Sequence, residues 1–258
     1  MKNKNDNNTP QKNSEDKIEG RNAVLEALKA GLEINKLFVL KGEATGSLRQ
    51  IISIARAKSV MMKETDRATL DSMSDTSAHQ GVIAMVSPVK YVSLDDIFEK
   101  ANSLNQPAFI IILDDICDPN NLGSILRTAD AVGAHGVVIP KHNAAGVTST
   151  VAKVSAGASA HVPVARVTNL ASSIDYMKEK GLWIAGTDLT GEKPFFQSDL
   201  KGPLGIVIGS EGKGMGNLIT RKCDFIVNIP MSGKISSLNA GVAAGIVLYE
   251  AYRQRQSL

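Results

Sequence analysis

The second half of the sequence alternates solid apolar runs with amphipathic segments, and this alternation constrains the fold more than any other feature. The runs FIIIL at residues 109–113 and GIVIG at residues 205–209 lack the polar residue at every second position that a half-exposed strand has. Such strands are typical of a parallel sheet covered by helices on both faces, which predicts an α/β domain. The candidate strands are 108–113, 136–139, 183–188, 204–208 and 225–229, and the candidate helices are 122–132, 148–155, 170–180 and 239–253.

The sequence before this domain differs from it in composition and in hydrophobic pattern. Residues 1–16 are almost entirely polar and are expected to form a disordered tail. Residues 17–88 contain the strand and helix patterns of a small α/β unit. The polar stretch 89–106 is predicted to be a linker that contains a helix, and 107–258 is the larger domain. The chain is therefore expected to have two folded domains.

Composition narrows the class of protein. Two cysteines are too few for a disulfide framework, and the polar start lacks the apolar core of a signal peptide, so a cytoplasmic location is expected. No apolar run approaches the roughly 20 residues of a membrane span. The four histidines show no paired ligand spacing with cysteine or carboxylate, so no metal site is predicted. The formal net charge of +3 permits a nucleic-acid partner without demonstrating one.

The first of three candidate functional segments is the strand, turn and helix of residues 113–140. At about 100° per residue, the apolar positions of this helix form one stripe, and Arg127 points almost opposite to it. Gly123 is expected to leave room above the start of the helix, and Asn120 or Asn121 is placed to cap it. A solvated arginine and an ordinary helix cap explain the same residues.

The second segment is the loop IVIGSEGKGMG of residues 206–216. Its four glycines permit a tight turn against a ligand, and Glu211 is its only acid. A phosphate-binding P-loop requires a lysine where Met215 follows Gly214. A dinucleotide fingerprint requires glycine or alanine where Asn217 stands. An NTPase and a nucleotide-dependent oxidoreductase are therefore disfavoured.

The third segment, residues 228–250, joins a turn to a helix rich in small residues. Ser236 and Ser237 are placed to cap this helix. Glycine inside a helix costs about 1 kcal/mol relative to alanine, so Gly241 and Gly245 indicate that something approaches closely. Packing inside the chain, a bound ligand and a helix contact between two copies are all open explanations.

Three motifs in these segments occur together in a fixed order. They are N-x-G-x-x-x-R from Asn121 to Arg127, G-x-E-G from Gly209 to Gly212, and I-P-M-x-G-x-x-x-S-L-N from Ile229 to Asn239. Their order and spacing closely resemble those of the SpoU family of RNA ribose 2′-O-methyltransferases. The segments IEGRNAVLEAL (18–28), HQGVIA (79–84) and KVSAGASAHVPV (153–164) look like the bacterial 23S rRNA guanosine-2′-O-methyltransferases, which carry an RNA-binding domain resembling ribosomal protein L30e.

This resemblance implies a fold, a cofactor and an assembly. The C-terminal part would be a trefoil-knotted SPOUT methyltransferase domain with a parallel sheet, preceded by a small L30e-like domain that binds the RNA substrate. S-adenosylmethionine would bind in the knot without a metal, and S-adenosylhomocysteine would leave. Because the family is typically dimeric through the C-terminal domain, a homodimer is implied. The cofactor-binding residues implied by the family pattern are Thr187, Gly209, Glu211, Ile229, Met231 and Leu238.

The resemblance also implies a reaction, in which a ribose 2′-oxygen attacks the sulfonium methyl group in line. The implied catalytic residues are Arg127, Glu211, Asn239, Asn121 and Ser237. A guanidinium stays protonated in proteins, so Arg127 is expected to bind the adjacent phosphate and stabilise developing alkoxide charge. Glu211 would orient Arg127 or receive the proton, and Asn121 and Asn239 would position the ribose. Ser237 would assist.

The implied substrate is a guanosine of 23S rRNA. Transfer RNA is the main alternative within the same chemistry, and a non-catalytic RNA-binding or ribosome-assembly protein is the alternative of a different class. Arg127, Glu211 and Asn239 argue for catalysis, because a binding protein would not need all three. The chain has SLNAG at 237–241 where many relatives have SLNVS, so a contact at position 241 is expected to differ from theirs.

Overall fold

The structure of the chain is a computed structural model. It describes residues 16–42, 46–233 and 237–256. The chain divides into two compact units, one ending at Val86 and the other beginning at Ser87. Within the described ranges, no helix combines the length and the apolar character needed to cross a bilayer. The predicted tail lies outside the described residues except for its last position, Asp16.

The first unit is a small α/β fold. It contains β1 (Lys17–Glu19), α1 (Arg21–Lys29), β2 (Ile34–Leu40), α2 (Ser47–Ala57), β3 (Met62–Thr65), α3 (Arg67–Met73) and β4 (Val82–Val86). The sheet order is β1-β4-β2-β3, and β2 pairs parallel with β3 while the other pairs are antiparallel. Val24 and Leu28 of α1 pack with Leu37 of β2 and Ile51 of α2 in one apolar core. The unit confirms the predicted α/β pattern and adds the short strand β1.

The second unit is built on a parallel sheet of seven strands. Its elements are α4 (Leu94–Ser103), β5 (Phe109–Leu113), α5 (Pro119–Ala131), β6 (Gly136–Pro140), α6 (Ser149–Val154), β7 (Val164–Val167), α7 (Leu170–Glu179), β8 (Trp183–Thr187), β9 (Lys193–Pro194), β10 (Leu204–Ile208), α8 (Asn217–Lys222), β11 (Phe225–Asn228) and α9 (Ala240–Arg255). The strand order is β7-β6-β5-β10-β8-β11-β9, and every neighbouring pair is parallel. The predicted parallel sheet is therefore confirmed.

The solid apolar runs form the middle of this sheet because both of its faces are covered. All five residues of β5 and all five of β10 are buried. Phe109, Ile111 and Leu113 pack on one face with residues of α5 and α9, whereas Ile110 and Ile112 pack on the other with residues of α4 and α7. Burial of a large apolar side chain contributes about 1.5–3 kcal/mol, so both sides of each central strand stabilise the fold.

The stretch predicted as a linker packs into the second unit. Helix α4 buries Ile97 and Ala101 in the core. An added Cβ at Gly136 of β6 would lie 2.5 Å from Cδ1 of Ile97, so this helix lies directly against the sheet. Upstream of α4, Val92 forms a parallel bridge with Ala165 of β7. The chain therefore enters the second unit along the β7 edge.

Helix α5 begins earlier than the sequence pattern predicted. Asp118 caps it, since its Oδ1 accepts a hydrogen bond from the N–H of Asn120 at 2.9 Å. Pro119 occupies the first turn, where its missing N–H is tolerated. The predicted cap at Asn120 or Asn121 was wrong, because Asp118 offers the cap two positions earlier.

Helix α9 also begins at a different cap. Oδ1 of Asn239 accepts hydrogen bonds from the N–H groups of Gly241 at 3.0 Å and Val242 at 3.2 Å. Asn239 thus takes the capping role that was predicted for Ser236 or Ser237. Ser237 lies before the helix, and Ser236 lies outside the described residues.

The strand order determines where a ligand site should form. Strand β10 lies between β5 and β8, so strands of widely separated sequence meet at the centre of the sheet. In open parallel sheets, ligands bind outside the carboxyl ends of the strands, where the strand order reverses. The loops that follow β5, β8, β10 and β11 all leave the sheet at the carboxyl ends of its strands.

The trefoil knot that the family resemblance implies stays a prediction.

Candidate active site

A cavity of about 300 Å³ lies at the carboxyl ends of β8, β10 and β11. Pockets for small molecules begin at about this volume. Ser237, which was predicted to be catalytic, lines the cavity. The cavity wall also includes all six residues predicted to bind the cofactor, namely Thr187, Gly209, Glu211, Ile229, Met231 and Leu238. The structure therefore brings these seven residues to one place, and their roles stay predictions.

The loop after β10 folds back on itself and forms part of the cavity wall. The N–H of Ser210 donates to the carbonyl of Gly214 at 3.0 Å, and the N–H of Gly214 donates back to Ser210 at 2.9 Å. Gly212 and Gly214 have φ values of +76° and +66°, which side chains disfavour. An added Cβ at Gly209 would collide with the backbone of Gly214 and lie 2.5 Å from the nitrogen of Met215. The glycines are therefore required by the fold of the loop itself.

The three motifs meet in one hydrogen-bonded cluster, which we call the Asn-Glu-Asn cluster and define as Asn121, Glu211 and Asn239. Asn121 Nδ2 donates to Glu211 Oε1 at 2.9 Å. Asn239 Nδ2 donates to Asn121 Oδ1 at 2.8 Å and to Glu211 Oε1 at 2.5 Å. These residues come from α5, from the loop after β10 and from the start of α9, so each motif contributes one member.

Glu211 also contacts the first turn of α9. Its Oε1 accepts a hydrogen bond from the N–H of Ala240 at 3.1 Å. The first N–H groups of a helix have no partner inside the helix, and its N-terminus favours negative charge. The carboxylate therefore joins the loop after β10 to α9 and holds the cavity wall together.

Asn239 performs two structural tasks with one amide. Its Oδ1 caps α9, while its Nδ2 donates to Asn121 and to Glu211. Both donor hydrogens and the acceptor oxygen of Asn239 are thus engaged within the protein. In this arrangement Asn239 shapes the site, and its predicted contact with a ribose stays a prediction.

Arg127 presents a free cation on the outer face of α5. Leu122, Ile125, Leu126 and Ala129 of this helix are completely buried, whereas Arg127 is exposed. Among the residues that the structure describes, its guanidinium has no hydrogen-bond or ion-pair partner. Arg127 does not line the cavity. The outward orientation predicted from the helical pattern is confirmed, and the side chain is available to an anion in solution.

Two of the three glycines that the sequence singled out in α5 and α9 serve helix packing. An added Cβ at Gly123 would lie 2.7 Å from Cβ of Val154 in α6, so the room expected above the start of α5 is filled by another helix. An added Cβ at Gly241 would lie 2.9 Å from Oγ of Ser124, so α5 and α9 approach each other closely there. Above Gly245 no atom lies within 4 Å of an added Cβ. Packing inside the chain thus accounts for Gly241 and leaves Gly245 open.

Asp114 is a site residue that the sequence reasoning missed. It follows β5 directly, and its Oδ2 accepts a hydrogen bond from the N–H of Gly216 at 2.7 Å. Partial burial raises the pKa of the Asp114 carboxyl above its usual range, the hydrogen bond from Gly216 lowers it, and the negative charge of Asp115 raises it further. Asp114 therefore fixes the end of the glycine-rich loop to the end of β5. The available signal was a carboxylate directly after a buried strand.

The thiol of Cys117 is a poor nucleophile. Cys117 lies in the loop between β5 and α5, and its Sγ donates to Asp115 Oδ1 at 3.8 Å. Burial raises the pKa of the Cys117 thiol, and Asp115 adds to that effect. Because the thiolate is the reactive form, Cys117 is not activated for covalent chemistry. Across the described ranges, no group of three or more His, Cys, Asp or Glu side chains is arranged to hold a metal ion.

Two family models match the chain, one in each part. The model of the SpoU rRNA methylase family matches residues 108–249. The model described as RNA 2′-O ribose methyltransferase substrate binding matches residues 17–92. The first match spans more than half of the 258 residues and contains the whole Asn-Glu-Asn cluster.

Individual relatives are similar over nearly the whole chain. YacO of Bacillus subtilis, assigned to the TrmH family of tRNA/rRNA methyltransferases, is 50% identical over 240 residues, which are 93% of this chain and 96% of YacO. The crystal structure of the SpoU methyltransferase AviRb from Streptomyces viridochromogenes, in complex with the cofactor AdoMet, has a TM-score of 0.60 at 28% identity and covers 94% of this chain and 91% of AviRb. The AdoMet-bound rRNA methyltransferase from Sinorhizobium meliloti has a TM-score of 0.58 at 27% identity, covering 92% of this chain and 86% of that protein.

Proposed function

Because the chain belongs to the SpoU rRNA methylase family of RNA methyltransferases, we propose that it transfers a methyl group from S-adenosylmethionine to a ribose 2′-oxygen, on a guanosine of 23S rRNA. The observation that carries the proposal is the Asn-Glu-Asn cluster, which joins all three motifs beside the cavity. A protein that only bound RNA would have no need of a cavity for a small molecule at this position.

The cavity suits S-adenosylmethionine in its chemistry. Its wall combines the apolar side chains of Ile229 and Leu238 with the exposed backbone of the loop after β10. Flat apolar surfaces with a few convergent backbone groups are what an adenine ring requires. AviRb, which shares this fold, was crystallised with AdoMet. When bound, S-adenosylmethionine supplies an electrophilic methyl group on a sulfonium.

Arg127 is the proposed contact with the RNA. An arginine guanidinium is not deprotonated in proteins, so Arg127 acts as a cation and not as a base. We assign it to the phosphate next to the target ribose and to the charge that develops on the 2′-oxygen. Its exposure and the lack of a partner among the described residues support this role, because nothing in that part of the chain competes for the guanidinium.

Glu211 and Ser237 are the proposed groups closest to the reacting atoms. Both line the cavity, and Glu211 also belongs to the Asn-Glu-Asn cluster. Its Oε1 accepts three hydrogen bonds from Asn121, Asn239 and Ala240. Oε2 of Glu211 is the oxygen we assign to accept the proton from the ribose or to orient Arg127. Ser237 would donate or accept a hydrogen bond at the same wall.

The two parts of the chain are proposed to divide the work. Residues 17–88 would hold the RNA substrate, which agrees with the match of residues 17–92 to a substrate-binding family model. Residues 107–258 would carry out methyl transfer in the cytoplasm, where ribosomal RNA is found. The S. meliloti rRNA methyltransferase spans both parts, which favours rRNA as the substrate of this chain. Transfer RNA is the second candidate, because YacO is assigned to a family that acts on both.

The decisive experiment is methyl transfer from labelled S-adenosylmethionine to separate pools of ribosomal and transfer RNA. We expect the label in 23S rRNA, at the 2′-oxygen of a guanosine identified by nuclease digestion and mass spectrometry. Label in transfer RNA alone would support the proposed reaction but show that its substrate is transfer RNA and not 23S rRNA. RNA binding with no label in either pool would overturn the proposed reaction and favour the non-catalytic alternative.

We also propose that two copies associate through α9. Val242 and Tyr249 on this helix are 51% and 53% exposed, and they lie on the same helical face as Gly245. The open space above Gly245 permits another helix to approach closely. Tyr249→Glu should convert the dimer to a monomer in sedimentation equilibrium, while Leu104→Glu, at a residue of similar exposure on the second unit, should leave it intact. A wild-type protein that sediments as a monomer would contradict the proposal.

A further inference from the structure

One long segment of the chain contains no acidic residue. Residues 131–174 include neither aspartate nor glutamate, although the whole chain has 26 in 258 residues, or about one in ten. At that frequency, 44 residues would hold about four. The same segment contains Lys141, Lys153 and Arg166, as well as three histidines. Its charge is therefore of one sign only.

This segment forms one edge of the parallel sheet. It contains β6, α6 and β7, and β6 is the direct neighbour of β5. The loop after β6 reaches the loop after β5, since the N–H of Ala145 donates to the carbonyl of Ile116 at 2.8 Å. That second loop leads within five residues to Asn121. The segment therefore contacts the loop that leads into α5, the helix that carries Asn121 and Arg127.

The charged side chains of the segment lie on its outer surface. His142 and Lys153 are exposed, and Lys141 and Arg166 are half-buried. Nη2 of Arg166 donates to the carbonyl of Lys141 at 3.3 Å, and its guanidinium stacks over the ring of Tyr91 at 5.4 Å. Arg166 thereby fixes the backbone at Lys141. We call Lys141, His142, Lys153 and Arg166 the basic edge.

Lys153 connects the basic edge to the proposed catalytic helix. It precedes Val154, the residue against which Gly123 of α5 packs. Arg127 follows Gly123 by one helical turn. Cations on α6 and α5 thus lie on two helices in direct contact. Together with Lys141, they outline a path along the carboxyl ends of β7, β6 and β5.

Acidic residues flank this segment in the sequence. On one side lie Asp130 of α5 and, further back, Asp115 and Asp118 in the loop after β5, of which Asp118 caps α5. On the other side, the first acid is Asp175 of α7, which is paired with Lys222 at 2.6 Å. The opposite edge of the sheet, at β9, has side chains of both charges, as in the neighbouring pair Glu192 and Lys193. The basic edge is therefore a local feature that the net charge of the chain does not show.

We propose that the basic edge binds the phosphodiester backbone of the RNA next to the methylated nucleotide. Phosphate contacts from lysine and arginine position a nucleic acid without reading its sequence, and they supply much of its affinity. Because residues 131–174 bring no carboxylate of their own, they add no repulsion to such contacts. The inference rests on the proposed function, and it adds the surface that guides the RNA towards Arg127.

The test is a double charge reversal in the full-length protein, Lys141→Glu with Lys153→Glu. The matched control is Lys193→Glu with Lys201→Glu, which changes the charge equally on the opposite edge of the same unit. Methyl transfer to purified bulk ribosomal RNA is measured at several salt concentrations. Lys141→Gln with Lys153→Gln repeats the test without new negative charge, and thermal unfolding checks that every variant is folded.

We expect the charge reversal to raise KM for ribosomal RNA at least tenfold, with the affinity for S-adenosylmethionine unchanged. Each lost phosphate contact lowers the slope of log KM against log salt by about 0.7–0.9, so the loss of two contacts should lower it by roughly 1.4 to 1.8. The control should stay within twofold of wild type. The glutamine variant should show a smaller increase in KM and the same loss of slope.

Two results would overturn the inference while leaving the proposed function intact. One is an unchanged KM and salt slope in a folded charge-reversal variant that still methylates RNA. The other is an equal loss in the control, which would indicate a nonspecific effect of net charge. If the wild-type protein binds ribosomal RNA without methylating it, the proposed function fails, and filter binding of the same variants still tests the basic edge.

Discussion

The two sides of the candidate site differ in how completely their polar groups are used. Around Glu211, donors from Asn121, Asn239 and Ala240 converge on a single carboxylate oxygen. Arg127, in contrast, has no acceptor among the described residues. A satisfied network fixes a shape, whereas an exposed unpaired cation is available to a ligand. The protein itself therefore holds the cluster in shape, whereas Arg127 is left available for the RNA contact that we propose for it.

The strongest test of this difference is Arg127→Ala. Removal of one group that stabilises charge in a transition state typically lowers kcat by about 10²–10³, and we expect a loss of that size in methyl transfer. Because Arg127 does not line the cavity, the dissociation constant for S-adenosylmethionine should change less than twofold. Isothermal titration and single-turnover methylation measure the two quantities separately.

Arg127→Lys is the companion variant. Lysine keeps the charge but loses the planar fork that binds phosphate through two hydrogen bonds, so activity should be partly restored. Equal losses of cofactor affinity and of methyl transfer in Arg127→Ala would contradict the separation of the two sides.

A second test compares two glycines of the second unit, Gly209 and Gly245. An added methyl group at Gly209 would collide with the loop backbone, so Gly209→Ala should weaken S-adenosylmethionine binding more than tenfold. Gly245→Ala meets no atom within 4 Å and should leave the affinity unchanged. It should also stabilise α9 by up to about 1 kcal/mol in denaturant unfolding of the monomer. Unaltered binding in Gly209→Ala would show that the loop does not form the wall of a ligand site.

A third test removes the charge from the centre of the cluster. Glu211→Gln keeps an oxygen that can accept from Asn121 and Asn239, but charge-assisted hydrogen bonds are about twice as strong as neutral ones. We expect kcat/KM to fall about tenfold, with a decrease in Tm of a few degrees. Glu211→Ala should lower Tm further, because it leaves these donors without their acceptor. If activity fell in both variants while Tm stayed the same, Glu211 would act in catalysis without stabilising the fold, and the structural role given to it here would be wrong.

The smallest expected effect is that of Asp114→Asn. Burial raises the folded-state pKa of Asp114, so the unfolded chain loses this proton at lower pH than the folded protein does. The stability contributed by the protonated form is therefore fully present below the unfolded-state pKa and is lost as the pH rises through the folded-state pKa, above which the ionised form disfavours folding. The amide oxygen of the substituted side chain would still accept from the N–H of Gly216, so at pH 7 the substitution should raise Tm slightly. A clear decrease in Tm would show that the hydrogen bond from the N–H of Gly216 stabilises the ionised Asp114 by more than its partial burial destabilises it.

Much of this architecture could be predicted from local sequence patterns. The runs at β5 and β10 indicated buried strands because only a doubly covered sheet accepts apolar residues at every position. The outward direction of Arg127 followed from helical geometry. The prediction failed for β7, which is short and follows Pro163, and for the helix cap at Asp118. Both depend on a few residues, so the periodic signal is weak there.

Contacts between distant parts of the chain were beyond local patterns. No local pattern indicates that Val154 fills the space above Gly123, or that Asp114 binds the N–H of Gly216, 102 positions away. Likewise, the net charge of +3 gives no indication of the basic edge, because it sums over the whole chain. It became apparent only when the acid-free segment was found to form one side of the sheet.

The sequence by itself determined the element types, the glycines that the loop after β10 requires and the residues that could carry chemistry. These depend on periodicity and backbone sterics, which act over a few residues. Only the tertiary structure decided that Asn121 meets Glu211, 90 positions later, and Asn239, 118 positions later. A hydrogen bond acts over about 3 Å, and the order of strands in the sheet decides which loop ends come within that distance.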